Sequence, residues 1–425
     1  MPPPVRFARL DDWLEWQQSA HPRPIDLGLE RVERVLGRTG WRGATQPVIT
    51  VGGTNGKGSC VAMLEALLRA GGHRVGAFTS PHLLDYRERI RIDGQWASEA
   101  SLVTAFERIA DALGGDSLTF FEYNTLAALL VFETAAPDAL VLEVGLGGRL
   151  DAVNVVDADV AVVVSVGLDH TDWLGPDLES IAREKAGIFR PGKPAVCGMP
   201  VPPRSIVAAA AARDARLLLR GRDFRADEHA DGTWDFEDAQ GRLAGLPPPA
   251  LEGVAQVGNA ATALAAVRQL SARVPLSRAA VDKGLAEVRL AGRFQRVSGA
   301  GGIEWVLDVA HNADAAAVLA ANLARDPARG RTIAVCGMLA DKDVRAVVLA
   351  LRGRVDRWIA ATTDGPRGLQ DGELAAQAAE VGVTMALGGP VPDAMRLAAA
   401  GATGGDRIVV FGSFHTIAEL LPPGL

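Results

Sequence analysis

The chain has 425 residues, a formal net charge of −7, 48% apolar residues and 22% charged ones. That length exceeds one ordinary core and predicts two domains, and the acidic balance argues against nucleic acid, leaving local cations to hold any anionic substrate. No apolar run approaches the roughly 20 residues of a membrane helix, residues 1–13 lack a signal peptide's apolar stretch, and Cys60, Cys197 and Cys336 read as separate buried thiols of a reducing cytosol.

Two helical patterns come first, at 7–19 and 26–39, with Asp26 placed to cap the second. Residues 47–59, PVITVGGTNGKGS, run from a β-branched stretch through a glycine-rich turn into the amphipathic pattern of 60–70. Strand, tight turn and helix together aim backbone N–H groups and a helix N-terminus at a phosphate. The glycines allow close backbone approach. Lys57 supplies a point charge for the outer phosphates, and Ser59 a hydroxyl for magnesium. The loop departs from G-x-x-x-x-G-K-[ST], with Val51 at the first glycine position and Gly58 at the hydroxyl position.

A strand at 74–78, a polar loop at 80–94 and helices at 99–113 and 121–133 follow. Residues 140–144 and 160–166 are uninterrupted apolar runs, the mark of strands buried on both faces of a parallel α/β sheet. Polar–apolar alternation over 222–244, around Asp231-Gly232, predicts a small antiparallel β-appendage. Helices at 254–273 and 277–288 lead to the glycine-rich stretch 298–302, read as an interdomain linker and hinge. Strands at 304–308, 331–336, 357–361 and 407–411 then restart the alternation in a smaller Rossmann-like α/β unit. The expected domains are 1–297 and 298–425.

Several chemistry-bearing residues fall at predicted strand ends, where open α/β sheets bind ligands. Glu143 and His170 end the two apolar runs, and with Ser59 they offer a carboxylate, an imidazole and a hydroxyl to Mg²⁺ beside ATP phosphates. Lys185, in IAREKAGIFRPGKP, reads either as a surface lysine paired with Glu184 or Glu179, or as a reactive amine able to take up CO₂ as a carbamate. It is one of five lysines in the chain. The arginines in YRERIR (86–91) belong either to a solvated edge strand or to a loop presenting guanidiniums to anions. LTFFEYN (118–124) pairs two aromatics with Glu122, suited either to helix core or to a flat heteroaromatic ring. Arg293, in GRFQ, and Asp308 and His311, in DVAHN, add polar groups in the second unit.

The motifs TNGKGS, SPHL, FFEYNT, EVGLGGRLDAVN, DH (169–170), EKAGIF, GRFQ, DVAHN and the KD loop occur in this order over nearly the whole chain. Together they resemble the bacterial dihydrofolate synthase/folylpolyglutamate synthases of the Mur ligase superfamily. The resemblance implies a P-loop-containing, mainly parallel sheet flanked by helices, with a glutamate ligase C-terminal domain. It implies an ATP-dependent ligase joining L-glutamate to 7,8-dihydropteroate and tetrahydrofolate species through an acyl phosphate. It places Thr54, Asn55, Gly56, Lys57, Gly58, Ser59, Asn259, Arg293, Asp308 and His311 on ATP. Ser59, Ser80, Glu143, His170 and a carboxylated Lys185 fall on magnesium, with two Mg²⁺ sites expected and Lys57, Glu143, His170 and Lys185 as the catalytic set. Ser19, Ala20, His21, Pro22, Thr119, Phe120, Phe121, Glu122, Leu150, Asp151 and Ala152 line the pterin pocket. A cytoplasmic monomer with neither nucleic-acid nor membrane partners is expected. Ala313 and Ala340 depart from the common family pattern.

Three other readings stay open on sequence. A Mur-type peptidoglycan-precursor ligase shares the loop and the lysine, although only about 47 residues precede the phosphate-loop strand, little for the nucleotide-sugar domain such enzymes carry. A monofunctional folylpolyglutamate synthase differs only in its acceptor. A nucleotide-binding regulator without ligase chemistry is disfavoured by Glu143, His170 and Lys185 together.

Overall fold

The computed structural model describes residues 6–365 and 367–418. The chain divides into two compact units. One comprises residues up to Val166, His170–Pro248 and Val257–Val288; the other comprises Gly167–Asp169, Pro249–Gln256 and Arg289 onward.

The strands of the first unit are β1 (Val48–Gly52), β2 (Val75–Phe78), β3 (Ile90–Ile92), β4 (Gln95–Trp96), β5 (Ala139–Glu143), β6 (Val160–Val163), β7 (Pro194–Cys197) and β8 (Arg216–Leu219). They form one eight-stranded sheet in the order β4-β3-β2-β5-β1-β6-β7-β8. All pairings are parallel except those of β3 with β2 and β4. Every residue of β1, β5 and β6 is buried, which is why their sequences are unbroken apolar runs rather than alternating ones. Strands β9 (Phe224–Glu228), β10 (Trp234–Asp238) and β11 (Gly241–Leu246) make the expected antiparallel appendage.

The helices Leu10–Ser19, Glu30–Arg38, Glu99–Ala112 and Phe120–Ala135 share an aromatic-rich core around Trp13, Phe106 and Tyr123. Trp13 meets Phe106 at 5.8 Å and Trp16 meets Tyr123 at 5.8 Å between ring centroids. The helix Lys57–Ala70 lies so close to the helix Arg278–Glu287 that a Cβ on Gly284 would fall 2.8 Å from Leu67 Cα. Cys60, Cys197 and Cys336 are all free and buried.

The second unit has a six-stranded sheet of β12 (Gln295–Ser298), β13 (Glu304–Asp308), β14 (Thr332–Cys336), β15 (Arg357–Thr362), β16 (Ala386–Pro390) and β17 (Arg407–Phe411). Its order is β12-β13-β17-β14-β15-β16, parallel apart from the β12 edge. The glycine-rich 298–302 stretch does not connect the units. It is the turn of the β12–β13 hairpin, closed by Gly299 N–H donating to Ile303 O at 2.9 Å. The continuous part of the second unit accordingly begins at Arg289, nine residues before the expected boundary, and two short segments before it, Gly167–Asp169 and Pro249–Gln256, belong to it as well. Residues 1–5 and 419–425 of the expected domains lie outside the described residues. Among the described residues, no helix is long and apolar enough to cross a membrane.

Candidate active site

The phosphate loop leaves β1 and enters its helix at Lys57, with Gly56 as the N-cap at φ +82°. Thr54 N–H donates to Ser165 O at 2.9 Å, and Asn55 N–H donates to Ser165 Oγ at 2.9 Å. The Ser165 hydroxyl returns a bond to Asn55 O at 2.8 Å. Ser165, just beyond β6, therefore holds the loop by three bonds. Sequence reading passed over it, although a hydroxyl residue directly after a buried strand at the same sheet edge was a usable signal. A Cβ on Gly56 would lie 3.0 Å from Asn259 Oδ1, so Asn259 stands at the loop. Lys57 Nζ donates to Gly53 O at 3.1 Å and Thr54 O at 3.2 Å, while Ser59 is buried in the first helical turn.

Glu143 ends β5 opposite Val51 and is 4% exposed. Ser80 N–H donates to its Oε2 at 3.3 Å, which joins the SPHL loop to the candidate metal carboxylate. His170 is exposed, at the N-terminus of the short helix Thr171–Leu174, with φ +53°. Lys185 is the last residue of the helix Leu178–Lys185 and is 3% exposed. That burial rules out a surface lysine; Glu184 pairs with Arg149 at 3.0 Å, and Glu179 accepts from Ser205 Oγ and from the N–H groups of Ser205 and Arg204. The loop after Glu143 lies against this helix end, with Arg149 N–H donating to Glu184 O at 2.9 Å and Gly148 too close to Lys185 O for a side chain.

Asp151, at 2% exposure, accepts N–H bonds from Leu146 at 2.8 Å and Val153 at 3.0 Å. Burial nevertheless pushes its carboxyl up to about 7, against those N–H groups and the charge of Lys57. Leu150 and Ala152 flank it, half-buried and buried.

The N-terminal pocket residues are linked by an ionic chain. His21 Nδ1 meets Ser117 Oγ at 2.8 Å and its Nε2 meets Asp26 Oδ2 at 3.1 Å. Arg31 donates to Asp26 Oδ2 at 2.7 Å and to Glu122 Oε1 at 2.6 Å. Asp26 is thus not a helix cap: the helix Glu30–Arg38 starts after Leu29, and the Asp26 carboxylate, held below its usual range chiefly by Arg31, serves this chain instead. Glu122 also forms a capping box with Thr119, taking its N–H at 2.7 Å while Glu122 N–H donates to Thr119 Oγ1 at 3.3 Å. Phe121 packs on Phe78 with centroids 5.9 Å apart, and Phe120 on Tyr86 at 6.2 Å. Ser19, Ala20 and Pro22 lie at the end of the first helix and in the turn after it.

Two of the three arginines of 86–91 are engaged by neighbouring carboxylates, Arg87 by Asp85 and Arg91 by Glu65. Arg91 is bidentate to Glu65, at 2.7 and 3.0 Å to Oε2, and also reaches Thr79 and Glu88 O.

In the second unit, Asp308 accepts from the N–H groups of Phe294 at 2.9 Å and Ala310 at 2.8 Å, and desolvation pushes its carboxyl up. Arg293 lies over the Phe414 ring at 5.2 Å. Asp169 gathers Lys342 Nζ at 2.7 Å, Asn312 Nδ2 at 3.1 Å and His311 Nε2 at 3.4 Å. The DH, DVAHN and KD motifs therefore meet on one carboxylate, a use of Asp169 and Lys342 that no single motif disclosed.

Among the described residues, no group of three or more His, Cys, Asp or Glu side chains could hold a metal by itself. Of the residues expected on Mg²⁺, Ser80 and Glu143 are joined by the bond from Ser80 N–H; two hydroxyls, a carboxylate and an imidazole are donor types such an ion accepts while it keeps waters and phosphate oxygens in its shell. The residues present are compatible with that ion.

The Mur ligase middle domain family matches residues 51–221, and the Mur ligase glutamate ligase domain family matches residues 292–414. Phosphate loop, buried carboxylate and these two matched segments define the class, a Mur-type ATP-dependent amide ligase. Dihydrofolate synthase/folylpolyglutamate synthase of Escherichia coli is 45% identical over 418 residues, spanning 98% of this chain and 96% of that protein. The structure of E. coli FolC in complex with DHPP and ADP superposes with a TM-score of 0.92, at 45% identity and 97% coverage of each chain. A bifunctional folylpolyglutamate synthase/dihydrofolate synthase with Mn, AMPPNP and L-glutamate bound gives 0.89, also at 45% identity and 97% coverage of each. The chain belongs to the dihydrofolate synthase/folylpolyglutamate synthase family.

Proposed function

We propose that this enzyme joins L-glutamate to 7,8-dihydropteroate and extends tetrahydrofolate species with further glutamates, using ATP. The observation that carries the reading is the meeting of a phosphate loop with the buried Glu143 at adjacent strand ends, Val51 lying opposite Glu143 in the sheet register.

An oxygen of the acceptor carboxylate attacks the γ-phosphorus, its bond to ADP breaks, and an acyl phosphate forms. Lys57 and the loop N–H groups hold the phosphates while charge moves to the leaving oxygen. The glutamate amine then attacks the acyl carbon, the C–N bond forms, and phosphate leaves with its C–O bond. Divalent metal held by Ser59, Ser80, Glu143 and His170 supplies charge neutralisation for the transferring group. A carboxylated Lys185 would serve a second metal; its burial supports that role. Arg293, Asp308 and His311 are assigned to the nucleotide on family resemblance. The pterin is assigned to the aromatic pocket of Phe120 and Phe121, with Asp151 and the His21–Glu122 chain supplying polar contacts. A monomeric cytoplasmic enzyme is the setting this reading implies.

Phosphate release from ATP with L-glutamate and, in turn, dihydropteroate, tetrahydrofolate or a UDP-muramyl acceptor tests it. Release with both pterins is expected. Release with tetrahydrofolate alone would leave only the polyglutamylation activity, and release only with the muramyl acceptor would overturn the folate reading.

A further inference from the structure

Three arginines stand at alternate positions in 86–91, and two are consumed by their neighbours. Arg87 is locked to Asp85 at 2.7 Å and covers the Trp96 ring. Arg91 is locked to Glu65 and to Glu88 O. Arg89 differs. It is 8% exposed, yet only its Nε meets an acceptor, His82 Nδ1 at 2.7 Å. Among the described residues, its two terminal NH₂ groups meet no hydrogen-bond acceptor.

Neither NH₂ group is among the buried atoms left without a partner, so the end of the guanidinium that meets no protein acceptor is the end open to solvent or a ligand. The surroundings hold the group rigidly in place. Its Cζ lies 5.4 Å from the centre of the Phe120 ring and 5.9 Å from that of Tyr86, so aromatic faces support its plane. Tyr86 is itself fixed by donating to Asn124 Oδ1 at 2.7 Å. Glu88 gathers the N–H groups of Leu83, Leu84 and Asp85 at 2.7–2.8 Å, and Thr79 N–H binds Arg89 O at 2.9 Å, so the backbone under Arg89 is fixed as well. Burial acts to lower the Arg89 pKa, and Glu143 is among the charges that oppose this. Arg89 thus lies against Phe120, in the proposed pterin pocket, within electrostatic reach of Glu143, at the proposed metal site.

We infer that Arg89 binds the carboxylate of the pterin-linked acceptor, its two NH₂ groups forming a fork on the oxygens of the group that becomes phosphorylated. The inference rests on the proposed function and deepens it. A planar fork matches a carboxylate bidentately where a lysine does not. In the first step one carboxylate oxygen attacks phosphorus while Arg89 keeps hold of the other. In the second step the held oxygen gains negative charge as the amine adds to carbon, and the same donors meet it. Arg89 stays protonated throughout, so the proton lost by the amine leaves by another route.

The test compares binding of pteroate and of its uncharged carboxamide to the full-length protein, by fluorescence titration, in wild type, Arg89→Gln and Arg89→Lys. Wild type is expected to prefer the acid. Arg89→Gln should lose about 10- to 100-fold on pteroate, the worth of a charge-assisted pair, and little on the carboxamide, erasing the preference while AMPPNP affinity stays unchanged. Arg89→Lys should fall between, keeping charge without the fork; if Arg89→Gln fails to fold, this variant decides, and an undiminished acid preference in it overturns the inference. An acid preference retained in Arg89→Gln overturns the Arg89 role and leaves the proposed function standing. A wild type that binds neither pterin overturns both.

Discussion

Gly56 and Asn259 face one another at the phosphate loop so closely that a Cβ on Gly56 would stand 3.0 Å from Asn259 Oδ1 and 2.9 Å from Val164 Cγ1. Gly56 also holds φ +82°, a region that costs other residues roughly 1–2 kcal/mol. Gly56→Ala should therefore displace either the loop or the Asn259 carboxamide. We expect AMPPNP affinity to fall by at least about tenfold, the equivalent of roughly 1.4 kcal/mol, with little change in thermal stability of the second unit. Calorimetric titration checks this; unchanged nucleotide affinity would remove the loop from the nucleotide site.

The chain from His21 through Asp26 and Arg31 to Glu122 should serve both stability and the pterin pocket. Arg31→Gln leaves Glu122, 5% exposed in its side chain, without its cation. Loss of one partner of a buried pair is costly; with Arg31 itself only partly buried, we expect about 2 kcal/mol. Urea unfolding reads the stability. The acceptor KM should rise several-fold while the ATP KM holds, and equal changes in both would deny the chain a role in the pocket.

Asp151 makes the stability depend on pH in a particular direction. Its carboxyl is raised by burial to about 7 from an ordinary 3.8, so the native state binds a proton that the unfolded chain has released between those values. Stability is then greatest at the acid end of that window and is lost as pH rises through about 7. The roughly three-unit shift bounds the effect at about 4 kcal/mol. Between pH 5 and 8, urea midpoints of the wild type should fall relative to those of Asp151→Asn, which carries no such proton. Parallel curves for the two proteins would show that Asp151 titrates normally.

Lys185→Ala should abolish ligase activity, and short carboxylates such as acetate should restore part of it by standing in for a carbamate. Both halves are read from initial rates. A fully active variant would exclude the carbamate, and a dead variant beyond rescue would mean the amine itself is what the site needs.

Much of the first sheet was legible because β1, β5 and β6 are buried on both faces, so their apolar runs could hardly be anything else. Of the strands that escaped notice, β7 and β8 are apolar but only four residues long, and two others have a composition that speaks against them. β12 is QRVS, a mostly exposed antiparallel edge, and β16 is ALGGP, whose glycines weaken any strand signal. The same edge explains the misplaced hinge: once 295–298 is a strand, the glycines that follow are the turn that pairs it with β13. Motif residues were found because their chemistry is unusual at their positions. Their supporting partners were not: Arg31 acts through a bond to Glu122, 91 positions away, that no local pattern announces, while the signal of Ser165 directly after a buried strand went unused. Asp26 shows the limit from the other side: a residue well placed to cap a helix was claimed by an arginine five positions on.

If the acceptor carboxylate is activated by phosphorylation at the TNGKGS loop, one of its oxygens must leave with the phosphate. Dihydropteroate labelled with ¹⁸O in its carboxylate tests this directly: one labelled oxygen should appear in the phosphate released as the amide to L-glutamate forms. Amide formation with unlabelled phosphate would contradict it.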